Sequence, residues 1–529
     1  MDFDVVVIGS GFGGAITGCR LAEAGYRVLI LERGRRWDKK SYPRNPDDMW
    51  LWNEKSPEKE HGWLDLRVFT HMSVATGAAV GGGSLIYANI SCEAPQSVFK
   101  TALWPQEITY AELKPHYDMV AKFMNVQQVP PNQWTNRMKL MQEAAQKAGF
   151  GDRFKQLDLA VSFDPTFDLT QPDPFNVINS KRFVNAQGVE QGTCVHLGNC
   201  DIGCDADAKN TLDRNYLPWA EKHGAQIREL NLVTNIQPVT GGYTVSFNQL
   251  TGNKVTPGSV SARIVIVAGG SIGSTELLLR CREEHKTLPN LSPFLGHNWS
   301  ANGDFLTPAF YGTRDVSPSQ GPTITCAIDF LDRSQNGQSF WIEDGGFPNV
   351  FADYIRRIDA NPTKNVQAKL ILDAFRHMFR ANDPEPFRNV MPWFAQGVDA
   401  ANGTLSLHHE LFTGEPCLNL AWDIGKSQPT IDAIVAMHLK LSAATGGNPV
   451  VPPTWSLLHN LVTPHPLGGC GMGTSVMNGV VNHAGEVFNY KNLYVADAAI
   501  IPEALGVNPS RTIGALAERI ANIIKTEAR

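Results

Sequence analysis

The sequence predicts an α/β fold, α+β overall, in which a layer of parallel strands is interleaved with a second part built on a mostly antiparallel sheet with helices. Three observations carry that expectation. The first 34 residues read as strand, glycine-rich turn, helix and second strand; a buried strand running into glycines recurs at 264–273; and a last strand and helix follow residue 492, with short strands and Pro/Gly turns in between. Signatures of one kind at the start, middle and end make both parts discontinuous. One takes 1–38, 221–300 and 463–529, with further contacts from 72–90, and the other takes 39–220 and 301–462.

The elements follow in order. Residues 4–8 (Asp-Val-Val-Val-Ile) are a β-branched strand, Gly9 to Gly14 a turn, and the stretch to residue 24 a helix; 27–32 is the second strand of a βαβ unit. From 35 to 65 the chain is polar and rich in Trp, Pro and charge, without periodicity, which predicts a long loop or lid. Helices are expected at 110–123, opened by a capping box of Thr109 and Glu112, and at 136–148. Irregular structure fills 151–191. Strands at 226–236, 243–247 and 259–267 form a meander, and 306–420 mixes short aromatic strands with a helix near 364–378. Residues 430–444 are helical, 492–497 a strand and 509–525 the closing helix. No internal repeat is visible.

Composition bounds the function. At 529 residues the chain has room for three or four domains of about 150 residues or for two large ones. Hydrophobic residues make up 43%, enough for a large core, and 46 Lys plus Arg stand against 52 Asp plus Glu, interspersed rather than in blocks. The net charge of −6 argues against nucleic acid as a partner. No apolar run approaches the roughly 20 residues of a membrane helix, so no integral membrane segment is expected. Strand residues begin at Asp4 without a signal-peptide pattern, so a cytoplasmic location is expected. Nine cysteines, an odd number scattered over a long chain, are no disulfide framework.

Gly9-Ser-Gly-Phe-Gly-Gly14 fits the G-x-G-x-x-G pattern, follows a strand, opens a helix, and is followed 18 residues after Gly14 by Glu32 at the end of the second strand. In that context it predicts a Rossmann-like dinucleotide site. Gly9 permits the tight turn, Gly11 lets the backbone approach a pyrophosphate, Gly14 lets the helix pack close, and the helix N-terminus favours phosphate charge. Glu32 suits two ribose hydroxyls and repels a 2′-phosphate. The motif does not itself separate NAD from FAD; the return of the fold near the carboxyl end favours FAD, and Asp497 falls at a strand's carboxyl end, where such sheets hold ligands.

Several segments resemble the glucose-methanol-choline (GMC) flavin oxidoreductases, most of all their bacterial cholesterol oxidase branch. They are Gly9 to Gly14, Val80-Gly-Gly-Gly-Ser-Leu85, Ala268-Gly-Gly-Ser-Ile-Gly-Ser-Thr-Glu-Leu-Leu278, His465-Pro-Leu-Gly-Gly-Cys470, Leu493-Tyr-Val-Ala-Asp-Ala-Ala-Ile-Ile-Pro502, Gly506-Val-Asn-Pro509 and Ala515-Leu-Ala-Glu-Arg519, in order over nearly the whole chain. The resemblance implies FAD, held without a covalent bond, a covalent link through His71 being the minor alternative. It implies flavin contacts at Gly9, Gly11, Phe12, Gly13, Gly14 and Glu32; at Gly77, Gly81, Gly82, Gly83, Ser84 and Asn89; and at Val233, Ala268, Gly269, Asp497, Asn508 and Pro509. Tyr87 stands where the steroid enzymes carry Asn.

The catalytic residues implied are His465, Asn508 and Glu343. Hydride leaves a carbinol carbon for flavin N5 while the hydroxyl proton needs a base, and imidazole titrates in the right range. The Asn508 amide orients the hydroxyl, although Asn before Pro509 at a helix start also reads as an N-cap. Ser339-Phe-Trp-Ile-Glu343, with Pro348 beyond, resembles a steroid-oxidase strand that gives its pocket a carboxylate; a solvated strand-end carboxylate is the plain alternative. Cys194, Cys200 and Cys204, with His196 between, are read as plain or disulfide-capable thiols before an iron-sulfur cluster or zinc, and no metal is expected. The run resembles a segment of long-chain alcohol oxidases. Together these readings predict oxidation of a hydrophobic alcohol, sterol-like or otherwise cyclic or long-chain, with O2 or another electron acceptor and with peripheral membrane contact open for a lipid-like substrate. Alternatives are a dehydrogenase serving a quinone or protein acceptor, a non-catalytic flavin-binding protein, and an NAD-linked enzyme.

Overall fold

The computed structural model describes residues 1–45, 47–348, 350, 388–409, 414–456 and 459–527. In chain order the elements that place the site are β1 (Phe3–Ile8), α1 (Phe12–Glu23), β2 (Val28–Leu31), β3 (Leu64–Phe69), β4 (Met72–Gly77), α2 (Tyr110–Phe123), α3 (Asn136–Lys147), β5 (Phe154–Gln156), α4 (Tyr216–Lys222), β6 (Gln226–Arg228), β7 (Asn231–Val239), β8 (Gly242–Thr251), β9 (Lys254–Val267), α5 (Gly270–Glu283), β10 (Phe305–Phe310), β11 (Cys326–Gln335), β12 (Gln338–Asp344), β13 (Val390–Gly397), α6 (Gln428–Thr445), β14 (Asn448–Pro449), β15 (Leu461–Thr463), β16 (Leu493–Val495) and α7 (Ser510–Glu527). The helix expected near 364–378 lies outside the described residues.

A seven-stranded sheet runs β6-β2-β1-β9-β8-β7, with β16 also paired to β9. Its parallel half joins β6, β2, β1, β9 and β16. The Val/Ile/Leu runs of β1 and β2 suit strands covered on both faces, and Val5, Val6, Val7, Leu29 and Ile30 are fully buried. Strand β9 serves two neighbours of opposite sense. Its first part pairs antiparallel with β8 from Lys254 to Ala262, and its last residues, Ile264 to Val267, pair parallel with β1. The single strand expected over 226–236 is in fact two. Leu230, at φ 56, turns the chain between β6, parallel to β2, and β7, antiparallel to β8.

A six-stranded antiparallel sheet, β14-β10-β13-β12-β11-β5, forms the second layer, with α3 and α6 packed on it. A third sheet sets the hairpin β3-β4 beside β15. On the first layer α1 packs against α4 and α7, and α7 against α2. Arg20 of α1 reaches Glu518 of α7 at 2.9 Å with both side chains buried, and the Tyr216 hydroxyl donates to the same carboxylate at 2.8 Å. At α2, Thr109 accepts from the Glu112 N–H at 3.1 Å, as the capping box requires, but the Glu112 carboxylate turns to Arg519 instead. The closing helix begins at Ser510, and the Ile513 N–H bonds to the Pro509 carbonyl at 2.9 Å. Asn508 therefore lies one residue ahead of the cap position expected for it. Among the described residues no helix is long and apolar enough to cross a membrane.

Candidate active site

One crevice of about 1020 Å³ runs between the layers. At one end β1 delivers the glycine turn. Gly9 sits at φ 96, and a Cβ there would stand 2.4 Å from the Ala268 carbonyl oxygen; a Cβ on Gly13 would stand 1.9 Å from that of Ala496. Only glycine lets these backbones touch. Helix α1 starts with Gly11 as an uncapped N-cap and has no acidic residue in its first turn, so its amide groups and dipole stay available to an anion. Glu32, at the end of β2, accepts from the Ser10 N–H at 2.9 Å and hydroxyl at 2.7 Å, and from the Gly34 N–H at 2.8 Å. Burial raises its pKa against those donors. Asp497 accepts from the Ser274 hydroxyl, the Gly270 N–H and the Ala499 N–H at 2.5, 2.7 and 2.8 Å, fastening the middle nucleotide-type segment to the closing one.

Gly9, Gly11, Phe12, Gly13, Glu32, Gly77, Gly82, Gly83, Val233, Ala268, Gly269, Asp497, Asn508 and Pro509 all line this crevice. Gly14, Gly81, Ser84 and Asn89 do not. Gly14 packs beneath the turn, where a Cβ would stand 2.0 Å from the Gly9 oxygen, and Gly81, at φ 101, donates its N–H to the Ser10 hydroxyl. The Ser84 hydroxyl donates to Gly81 O at 2.7 Å and accepts from the Leu212 N–H at 3.1 Å. Asn89 is fully buried at φ 70 between the lining residues Ala88 and Ile90, and neither atom of its amide has a partner. His71 is exposed in the β3-β4 turn, away from the lining. Tyr87 does line the crevice, its ring edge to face with Phe12 at 5.6 Å and its hydroxyl on Asn210 O at 3.1 Å.

At the far end stand His465 and Asn508. His465 follows β15, and its Nδ1 lies 2.8 and 3.1 Å from the two carboxylate oxygens of Asp304. That leaves Nε2 as the ring nitrogen open to the crevice. Asn508 is buried, and its Oδ1 makes no hydrogen bond, so it does not cap α7. Glu343, on β12, is fully buried and absent from the crevice lining. It sits behind the lining beside Asn508; one of its oxygens accepts from Gln396 Nε2 at 3.0 Å, and the other has no hydrogen-bond partner. The Gln396 Oε1 in turn accepts from the Trp341 indole, which can only donate, so the orientation of the Gln396 amide is fixed. Burial raises the Glu343 carboxyl well above its ordinary range, opposed first by the Gln396 amide.

The sequence reading missed the loop 300–304. Asn302, at φ 56, accepts from the N–H groups of Leu505 and Gly506 at 2.9 Å each and donates to Val507 O at 2.8 Å, which clamps the turn that carries Asn508. Two residues on, Asp304 holds His465. Asn-Gly-Asp ahead of a strand reads only as a turn, and no local signal marks it. Lys209 was missed too. It is buried, donates to the carbonyls of Leu85 and Cys200 at 2.9 and 2.7 Å, and lies 4.7 Å from the Tyr87 ring; burial brings its pKa down to about 8.

The cysteines at 194, 200 and 204 are free thiols. His196 does not turn toward them. Its ring stacks on Phe167, its Nε2 bonds to Gln133 Oε1 at 3.0 Å, and burial lowers its pKa to about 4. Among the described residues no group of three His, Cys, Asp or Glu is placed to hold a metal ion.

This fold and crevice define a flavin-dependent oxidoreductase acting on alcohol groups, and the chain belongs to the GMC oxidoreductase family, whose amino-terminal model matches residues 6–159 and 184–301 and whose carboxyl-terminal model matches 399–517. It is 31% identical to a cholesterol oxidase of Acinetobacter baumannii over 99% of this chain and 94% of that protein. It is also 24% identical to a long-chain-alcohol oxidase of Arabidopsis thaliana, covering 98% of this chain and 67% of that one. Among solved structures, pyridoxine 4-oxidase of Mesorbium loti matches with a TM-score of 0.63 at 16% identity, with 98% of each chain covered.

FAD is the cofactor. The residues present fit it: glycines that admit a pyrophosphate at the uncapped end of α1, a carboxylate at the end of β2, and a crevice long enough to reach His465.

Proposed function

We propose that this enzyme oxidises a hydrophobic alcohol, sterol-like or otherwise cyclic or long-chain, to the ketone or aldehyde, with O2 as electron acceptor and H2O2 as second product. The observation that supports it is the placing of the open His465 ring nitrogen and the unpartnered Asn508 amide oxygen in the same crevice as Leu306, Ile324 and Phe394. Bound FAD supplies the acceptor for the hydride of the carbinol carbon. His465 Nε2 takes the hydroxyl proton, and Asn508 orients the hydroxyl with its amide. The apolar side chains receive the hydrocarbon body and keep water from the reacting carbon. Two relatives named for cholesterol and long-chain alcohols favour this substrate class.

Anaerobic mixing with sterols, terpenoid alcohols, fatty alcohols and sugars tests it. The expected outcome is bleaching of the flavin bands by apolar alcohols and not by sugars; bleaching by sugars alone overturns the reading. Comparing turnover with oxygen and with an artificial dye then separates an oxidase from a dehydrogenase. His465→Asn should keep its flavin and lose about 10²–10⁴-fold in reduction rate.

A further inference from the structure

Asp304 lies in none of the motifs that mark the family in this sequence, yet among the described residues its carboxylate holds the ring of the candidate base. Its side chain is 1% exposed. Both oxygens face His465 Nδ1, and Thr463 Oγ1 lies 2.6 Å from Oδ2 while accepting the His465 backbone N–H at 2.9 Å. The loop that carries it is pinned in turn. Asp399, also buried, accepts from the Ser300 hydroxyl at 2.7 Å, the Ala301 N–H at 2.9 Å and the Gly303 N–H at 3.3 Å. The backbone that leads into Asp304 is thereby held in place.

We propose that Asp304 is a positioning residue that keeps His465 in its Nδ1–H tautomer, with the Nε2 lone pair toward the substrate hydroxyl. This rests on the reading of His465 as the base. An ionised carboxylate can only accept, so the hydrogen between the two groups belongs to Nδ1, and a neutral imidazole has one hydrogen to place. When the alcohol O–H bond breaks, its proton forms the new N–H bond at Nε2, and the C–H bond electron pair leaves with the hydride to the cofactor. The ring is then an imidazolium, and the buried carboxylate lies in contact with the new charge. Burial raises the Asp304 carboxyl, while the His465 ring and the Thr463 hydroxyl pull it back toward the ionised form.

The first test needs only wild-type protein. With ¹⁵N-labelled histidine, NMR should show neutral His465 protonated at Nδ1; protonation at Nε2 overturns the assignment. The second compares Asp304→Asn with Asp304→Ala, each checked for flavin content and read by anaerobic flavin reduction with the best alcohol of the panel. Asn keeps the size of the side chain but can offer an N–H to Nδ1, which moves the ring hydrogen to Nε2. Asp304→Asn should slow reduction at saturating alcohol by about 10²–10⁴-fold with KM and flavin content held, and its NMR spectrum should show the other tautomer. A merely structural role predicts the reverse order, Asp304→Asn near wild type and Asp304→Ala impaired, and that result overturns the proposal. Full activity in His465→Gln overturns the base reading itself; full activity in Asp304→Asn beside an inactive His465→Gln overturns only the part given to Asp304.

Discussion

Glu343 sits between β11 and β13 beside Asn508, and burial raises its carboxyl well above the ordinary range against the Gln396 amide, with the Asp344 and Asp304 carboxylates adding to the rise. For an acid whose folded pKa lies above its unfolded one, the folded state keeps a proton that the unfolded state gives up. Stability is then lost as pH rises from the ordinary value of 4.5 toward the folded value. Glu343→Gln copies the neutral acid and removes that slope. Thermal melts should show the variant gaining on wild type as pH rises above the ordinary value of 4.5; a deficit that stays constant with pH would mean that the carboxylate is already ionised in the fold. Glu343 was legible because a short strand motif carries it. Asp304 was not, because what makes it matter is a contact across 161 residues of chain.

At the scale of elements, the βαβ opening was legible because every constraint on it is local: a β-branched strand, a turn that needs glycine, a helix start and a second apolar strand. Gly13 is its tightest point. Gly13→Ala pushes a methyl against the backbone of Ala496, and backbone cannot swing aside as a side chain can. Overpacking of this kind costs about 1–3 kcal/mol or more, so the variant should melt lower and be purified with little flavin; a yellow, fully loaded protein would show that the junction of α1 and β16 gives way. The hairpin β3-β4 was harder to read because it inverts the usual pattern. Asp65 is buried against Arg33 and Arg67 while Val68 is 70% exposed, so ion pairs occupy the side where apolar residues are sought.

Over the whole molecule, β9 joins the meander to the parallel layer within one strand, and the Arg20–Glu518 pair ties the opening helix to the closing one. The two parts of the first sheet share that strand, which couples their stability. Melting should follow a single transition in which flavin fluorescence rises as circular dichroism is lost, and free FAD at about 100 times its dissociation constant should add about 2.7 kcal/mol; two separated transitions would show the parts unfolding on their own. The parallel layer was legible from three distant stretches of sequence, whereas the loop 300–304 exists as a site only once the chain has closed. It grips His465 with one residue and the Asn508 turn with another, and it stands directly before β10. Leu306 and Phe394, paired across β10 and β13, face the crevice from a different sheet than the one that carries the flavin cradle. On the proposed reading the two differ in reach: exchanging Leu306 should retune which alcohol enters while His465 keeps its bearings, whereas Phe394, whose ring lies 6.5 Å from that of His465, should affect both.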